Sequence, residues 1–543
     1  MKRFLAVAAA ASVLAGGLAA TATAAPAVAG TATPAVVGAL KWGRCAESDL
    51  RQAGAECAML SVPLNYSDPT GATIKIAVSR IKHTSSAAKY QGVILTNPGG
   101  PGGSGLDLNT FLIAQLKAEG SAADQAAVAD YDWIGFDPRG VGSSVPAITC
   151  APYYFSGNRE NYNPRTKQIL NYWLTRSARY DQRCATHSAA QSALLDHMTT
   201  VDTARDMDSI RQALGQNQIS YYGFSYGTYL GQVYSTLFPS HVRRLIMDSN
   251  VDPRKVWYQA NLDQDIAFNR NIKIWFGWLA QHHASYHLGR TEKAVENRFY
   301  AEKNRLFKHP IQGVVGPDEW TDVFLDAGYY EQTWLQWGSA LANWAHTHSA
   351  KAGATIVSLY QSVDTPGSDN GFAVYNAVQC TDVQWPTSWA VWSKDNHRVN
   401  AIAPFETWAN AWFNAPCLHW PAPAARQAPV QINGSGISSA LLIDETLDAA
   451  TPFEGSLEVR SLFPHSVLLA EPGGTTHADS LFGDLCVDNT IANYLASGQL
   501  PARNPNAKWD KTCKPLPRPV PSSSGGASSN SAARSVLPLI RAH

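Results

Sequence analysis

The sequence predicts an α/β fold in which a mostly parallel central sheet carries a large, mainly helical cap inserted between two late strands. Three observations lead there. Short, β-branched and continuously apolar runs alternate with stretches of helical period, the pattern of strands buried on both faces. That alternation stops near Arg254 and resumes only after about Gln431. A glycine-flanked serine, Gly223-Phe224-Ser225-Tyr226-Gly227, sits where one such strand runs into a helix.

The elements follow in order. Lys2 and Arg3 precede an apolar run from Phe4 and an Ala22-Thr23-Ala24 cleavage pattern. Residues 1–24 therefore read as a secretory signal peptide, and the expected location is secreted, extracellular. The apolar run is short for a bilayer, and the cleavage site lacks a cysteine to lipidate, so no membrane anchor is expected. A first core segment, residues 40–253, holds the strand-like runs TIKIAVSRI from Thr73, GVILT from Gly92, WIGF from Trp133, ISYY from Ile219 and RRLIM from Arg243. Between them, Val201, Ala204, Met207, Ile210 and Leu214 share one helical face before Gly215. Leu230, Val233, Tyr234 and Leu237 are expected to turn inward on the helix after Ser225. Residues 254–431 are helical in pattern and rich in tryptophan, most of it expected as core and some as pocket wall. Residues 432–514 return to the sheet with ALLID from Ala440 and SVLLA from Ser466. The Pro/Ser/Gly-rich residues 515–543 are expected to be disordered.

Composition excludes several classes. The 543-residue chain has no net formal charge, only 16% charged residues and no run of one sign. Neither a nucleic acid nor a membrane surface is an expected partner, and a monomer is expected. Eight cysteines in an exported chain suggest disulfides, and none forms a Cys-x-x-Cys pair that would point to zinc. Eight allow 105 connectivities. The expectation is sequential pairing, Cys45–Cys57, Cys150–Cys184, Cys380–Cys417 and Cys486–Cys513, which brackets local elements without crossing the sheet.

The chemistry starts at Ser225. Gly-x-Ser-x-Gly between a strand and a helix is the setting of a nucleophile elbow. TNPGGPGGSG, from Thr96 to Gly105, follows an earlier strand and brings bare backbone N–H groups toward a ligand. It lacks the Gly-Lys-Ser/Thr ending of a phosphate loop. The Gly100 and Tyr226 amides are the candidate oxyanion donors. An acid and then a base should follow the nucleophile in the chain. LLIDETLDAATP offers Asp444, Glu445 and Asp448; the loop after the next strand offers His477, and His465 lies at the wrong end of that strand. In GFDPRGVGSS, Asp137 and Arg139 read as braces for the loops around the site.

The motifs NPGGPGGSG, GFDPRGVGSS, GFSYGTYLG, LDAATP and THADS together resemble those of secreted tripeptidyl aminopeptidases, of the prolyl-iminopeptidase group of α/β-hydrolases, from about Leu40 to Cys513. The resemblance implies an α/β-hydrolase fold. It also implies Ser225 as nucleophile, Asp448 rather than Asp444 as acid, His477 as base, and Gly100 and Tyr226 as the oxyanion hole. This chain departs from the family pattern at Ala449-Ala450 and at Thr476 and Ala478, which flank the histidine. Peptides with free N-termini become the expected substrates, released as tripeptides, and the chemistry needs no metal or cofactor. Asp252, Glu331 and Asp382 are candidate anchors for the substrate amine. A secreted carboxylesterase or lactonase with the same triad is the alternative; an inactive binding protein on the same scaffold fits an intact triad poorly.

Overall fold

A computed structural model describes residues 38–363 and 367–521. The expected signal peptide and most of the C-terminal tail lie outside them. The described chain builds one ten-stranded sheet. Its strands are β1 (Gly43–Arg44), β2 (Glu56–Pro63), β3 (Thr73–Ile81), β4 (Val93–Asn97), β5 (Asp132–Phe136), β6 (Ile219–Phe224), β7 (Val242–Asp248), β8 (Ala440–Glu445), β9 (Ser466–Glu471) and β10 (Lys511–Thr512). The spatial order is β1-β2-β3-β5-β4-β6-β7-β8-β9-β10. Pairing is antiparallel from β1 through β3 to β5 and parallel from β5 to β10. The first two strands escaped sequence analysis, because Glu56–Pro63 mixes cysteine, serine and proline into a half-exposed alternation.

Both faces of the parallel part are covered. Ile94, Trp133, Tyr222, Ile246 and Leu441 pack toward helices Leu108–Glu119 and Leu485–Ser497. Leu95, Ile134, Tyr221, Leu245 and Leu442 point the other way, toward helices Thr200–Ala213 and Tyr226–Leu237. Successive strand residues thus serve opposite cores, which is why these runs read as unbroken hydrophobicity. On Tyr226–Leu237 the expected inward residues Leu230, Val233 and Tyr234 are buried, but Leu237 is 37% exposed. It is the last helical residue, and the chain turns away there into Pro239–His241.

The segment between β7 and β8 is helical from Tyr258–Gln281 to Thr407–Asn414. Trp275, Phe276, Phe299, Trp320, Phe324, Trp334 and Trp337 form its own core. A second stretch of chain, before the elbow, joins this lobe. Arg159 pairs with Glu319 at 2.9 Å, the Tyr162 amide donates to Asp318 at 2.8 Å, and Trp173 stacks on Trp412. The lobe is therefore built from more than the late insertion. Disulfides Cys45–Cys57, Cys150–Cys184, Cys380–Cys417 and Cys486–Cys513 staple both layers.

The tail departs from the disorder expected of residues 515–543. Up to Pro521 it lies against the lobe: Arg518 donates to Glu331 at 3.1 Å and sits over the Trp334 ring, and Trp278 Nε1 donates to the Pro519 carbonyl at 3.0 Å. Its composition lacks periodicity, yet its backbone and one guanidinium find buried partners.

Candidate active site

Parallel pairing brings the carboxyl ends of β4, β6, β7, β8 and β9 to one edge. Asn97 lies beside Gly223, Phe224 beside Asp248, and Asp248 beside Ile443. Ser225 caps this edge with φ 56° and ψ −125°, a conformation that costs a non-glycine residue on the order of 1–3 kcal/mol. The turn is held by Ser225 N–H donating to the Asp248 carbonyl at 3.0 Å and Thr228 N–H donating to the Ser225 carbonyl at 2.8 Å. The flanking glycines are steric necessities. A Cβ on Gly223 would lie 2.5 Å from the Gly227 carbonyl, and one on Gly227 would lie 2.8 Å from the Asn97 carbonyl.

The glycine-rich loop packs directly on this elbow. Gly99 has φ 102°, and a Cβ there would meet the Phe224 carbonyl at 2.6 Å and Ser225 Cβ at 2.9 Å. Asp137 anchors the loop by accepting from Ser104 Oγ at 2.6 Å and Gly105 N–H at 3.2 Å, while its other oxygen accepts from Ser143 N–H at 2.7 Å. Burial pushes the Asp137 carboxyl up to about 6. Arg139 does not pair with Asp137; it forms a fully buried pair with Asp206 at 2.7 Å.

Asp448, on the turn after β8, meets His477, on the loop after β9: Asp448 Oδ2 lies 2.7 Å from His477 Nδ1, and both side chains are buried. The remaining acceptor capacity of Asp448 takes the Ala450 and Thr451 amides at 2.8 and 3.1 Å and Thr451 Oγ1 at 3.0 Å. Asp444 lies on β8 itself and accepts from Ser456 Oγ at 2.5 Å. Burial and the nearby Asp448 charge push its carboxyl well above the usual range. The exposed His465 precedes β9, away from this edge.

The lobe grips these turns. Asn271, on Tyr258–Gln281, donates to the Leu447, Gly328 and Thr475 carbonyls at 2.9–3.3 Å, and His477 N–H donates to the Tyr329 carbonyl at 2.9 Å. Asp248 adds a brace that sequence analysis missed: its carboxylate accepts from the Ser480 amide and hydroxyl on the histidine loop. Ser225, Tyr226, Gly100 and His477 line one cavity, roofed by residues of the lobe.

Residues 92–299 match a family model described as the alpha/beta hydrolase fold, and residues 403–513 match one described as TAP-like protein. The chain is 38% identical over 487 residues to a tripeptidyl aminopeptidase of Streptomyces lividans, covering 89% of this chain and 88% of that protein. This chain belongs to the tripeptidyl-aminopeptidase family of α/β-hydrolases. It is also 28% identical over 496 residues to serine protease Hip1 of Mycobacterium tuberculosis, covering 85% of this chain and 89% of that protein. Carboxylesterase B of the same organism is 30% identical over 487 residues, 86% of this chain and 90% of the relative.

Several carboxylates lie in or near this cavity. Of the three anchors named from sequence, Asp252 lines the cavity, but both its oxygens are held by Arg254, at 2.9 and 2.7 Å. Glu331 does not line it, and spends itself on Thr475 Oγ1 at 2.7 Å and on Arg518. Asp382 is buried behind it, accepting from the Thr200 amide and hydroxyl at 2.6 Å and from Trp257 Nε1 at 3.2 Å. Each of the three already has hydrogen-bond partners inside the protein. A residue not named from sequence, Glu406, fits better. It lines the cavity, is 5% exposed, and its Oε1 has no hydrogen-bond partner. Burial, with the charges of Asp265 and Asp322, pushes its carboxyl well above the usual range. Nothing in the FETWANAWF stretch that carries Glu406 distinguishes it from a surface glutamate.

Proposed function

We propose that this serine hydrolase is a secreted exopeptidase that releases short peptides, tripeptides among them, from the free N-termini of peptide substrates. His477 takes the Ser225 proton as Oγ attacks the scissile carbonyl. Asp448 holds the imidazole in the tautomer with Nδ1–H and stabilises the imidazolium. The Gly100 and Tyr226 amides receive the oxyanion, each worth roughly 3 kcal/mol in the transition state. His477 returns the proton to the leaving amine, and water then repeats the attack on the acyl-enzyme.

The observation that carries the exopeptidase reading is Glu406. A buried carboxyl facing the substrate cavity without a cationic partner suits an ammonium group. Its raised pKa gives the pH dependence a sign. Without substrate the acid holds its proton; an entering ammonium favours the carboxylate and displaces that proton. KM for free-amine substrates should therefore fall as pH rises above the usual carboxylate range, until the α-amine itself deprotonates near 8.

The test is a panel of peptide anilides of one, two and three residues, with free and acetylated amines, together with simple esters. Acetylation should lower kcat/KM by about two orders of magnitude or more, because it removes the ammonium that would form a charge-assisted pair with the Glu406 carboxylate and adds bulk at the closed end of the cavity. Glu406→Gln should shrink that gap chiefly through KM. Equal rates on free and acetylated tripeptide anilides, with faster ester cleavage, would replace this reading with the carboxylesterase or lactonase one.

A further inference from the structure

Behind the histidine loop lies a second group of acids that the triad chemistry does not use. Glu445 ends β8, Glu471 ends β9, and Asp479 follows His477 by two residues; they are 3, 0 and 3% exposed. One oxygen from each lies within 4.8 Å of the others. Glu445 accepts the Thr476 amide. No N–H or hydroxyl donates to Glu471: its buried oxygens have only other carboxyls as partners. Its polar neighbours include further carboxyls, Asp479 and the helix-capping Asp484, whose own Oδ2 also lacks a donor. Burial and these neighbouring acids push Glu471 up to about 12 and Asp479 to about 8.

Carboxyl groups converging in a buried space need something positive between them. We propose that a calcium ion is bound between Glu445, Glu471 and Asp479, with Asp484 in reach, and that it braces the loop carrying His477. All the donors are hard oxygens, which select an alkaline-earth cation over zinc or copper. Several carboxylates gathered in one buried space suit calcium, which takes six to eight oxygen ligands in flexible geometry, better than magnesium, which demands a near-ideal octahedron and keeps several waters. The placement explains what the ion would do. The ends of β8 and β9 are already tied to the loop, with Thr446 N–H donating to the Glu471 carbonyl at 3.2 Å and Leu447 N–H to the Gly474 carbonyl at 3.0 Å. The ion would add a bond from both strand ends to Asp479, across the residue that positions the imidazole. This is a structural site, distinct from the triad, and its primary readouts do not depend on the substrate assigned above.

The experiment uses the intact protein, stripped with EDTA and desalted. Equilibrium dialysis against millimolar calcium with elemental analysis should recover one calcium per chain at neutral pH. Melting temperature should rise by several degrees in calcium relative to EDTA, and magnesium should do less. Glu471→Gln keeps the side chain's shape and should abolish both the bound calcium and the shift; Asp479→Asn serves the same purpose if the first variant folds poorly. Wild-type protein that binds no calcium and melts identically in calcium and EDTA would overturn the proposal and leave the cluster holding shared protons. Magnesium matching calcium in occupancy and shift would overturn the choice of ion.

Discussion

The acid beside His477 is chosen by a difference of four residues. Asp444 and Asp448 are both fully buried, yet only Asp448 reaches the imidazole, while Asp444 accepts a hydroxyl hydrogen bond with its carboxyl kept in the neutral range of behaviour. Asp448→Asn should therefore lower kcat by about 10³–10⁴-fold, as expected when the base loses its orienting carboxylate. Asp444→Asn should cost less than about tenfold, since an amide can still accept from Ser456. Steady-state kinetics on one anilide substrate would show the order, and the reverse order would refute the assignment. A different residue contributes to the pH dependence of stability. Asp181 has a buried oxygen without a partner, and burial alone raises its carboxyl to about 9. The folded chain thus holds this proton more tightly than the unfolded chain, where the pKa is about 3.9. The stability it contributes is complete below that value and is lost as pH rises toward 9. Asp181→Asn should raise the melting temperature at pH 8 by more than at pH 5; equal shifts would argue against a buried neutral acid.

Among the elements, the elbow and the glycine-rich loop form a single steric unit. Gly99 contacts the Ser225 turn so closely that a methyl group has no room, and its φ of 102° penalises any side chain. Gly99→Ala should therefore move the loop that carries Gly100 and lower kcat by about 10²-fold or more, the range for losing one oxyanion donor, with little change in KM. Near wild-type kcat in this variant would mean that the Gly100 amide plays no part in the oxyanion hole. The inserted helices matter for the same reason. Asn271 and the Tyr329 carbonyl belong to the lobe, yet they hold the turns that present Asp448 and His477. Lobe and sheet therefore share in placing Asp448 and His477.

The whole molecule closes on itself through its C-terminal strap. Arg518 partners the buried Glu331, which in turn fixes Thr475 two residues before His477. Ending the chain at Lys514 would leave Glu331 and Trp278 Nε1 short of partners. Because Arg518 is 39% exposed, its ion pair adds little, and the loss should be about 1–2 kcal/mol, read in a chain of this length as a fall of roughly 1–2 °C in melting temperature. A chain ending at Pro521 keeps both contacts and should melt like the full chain. Identical melting of the two truncations would show that the strap does not contribute.

Much of this architecture was legible in the order of residues. Strands buried on both faces announce themselves as apolar runs, and the elbow, the glycine loop and the acid-then-base order are local or sequential patterns that need no coordinates. The cysteine neighbours that pair here are also neighbours in sequence. What depends on distant contacts was not legible. Choosing Asp448 over Asp444 from spacing alone was impossible, because both lie near the carboxyl end of one strand, and only the approach of the β9 loop to the turn that carries Asp448 separates them. The cavity-lining carboxyl of Glu406 was missed for the same reason. Glu331 and Asp382 looked as acidic as Glu406, and only the fold reveals that Thr475, Arg518, Thr200 and Trp257 satisfy the first two while Glu406 keeps an unpaired oxygen at the cavity. Sequence by itself determines which backbone segments can be strand, helix or elbow, since those choices are set by local sterics and periodic burial. Which charge remains unpaired in a low-dielectric cavity is a property of three-dimensional neighbours, and tertiary structure alone decides it.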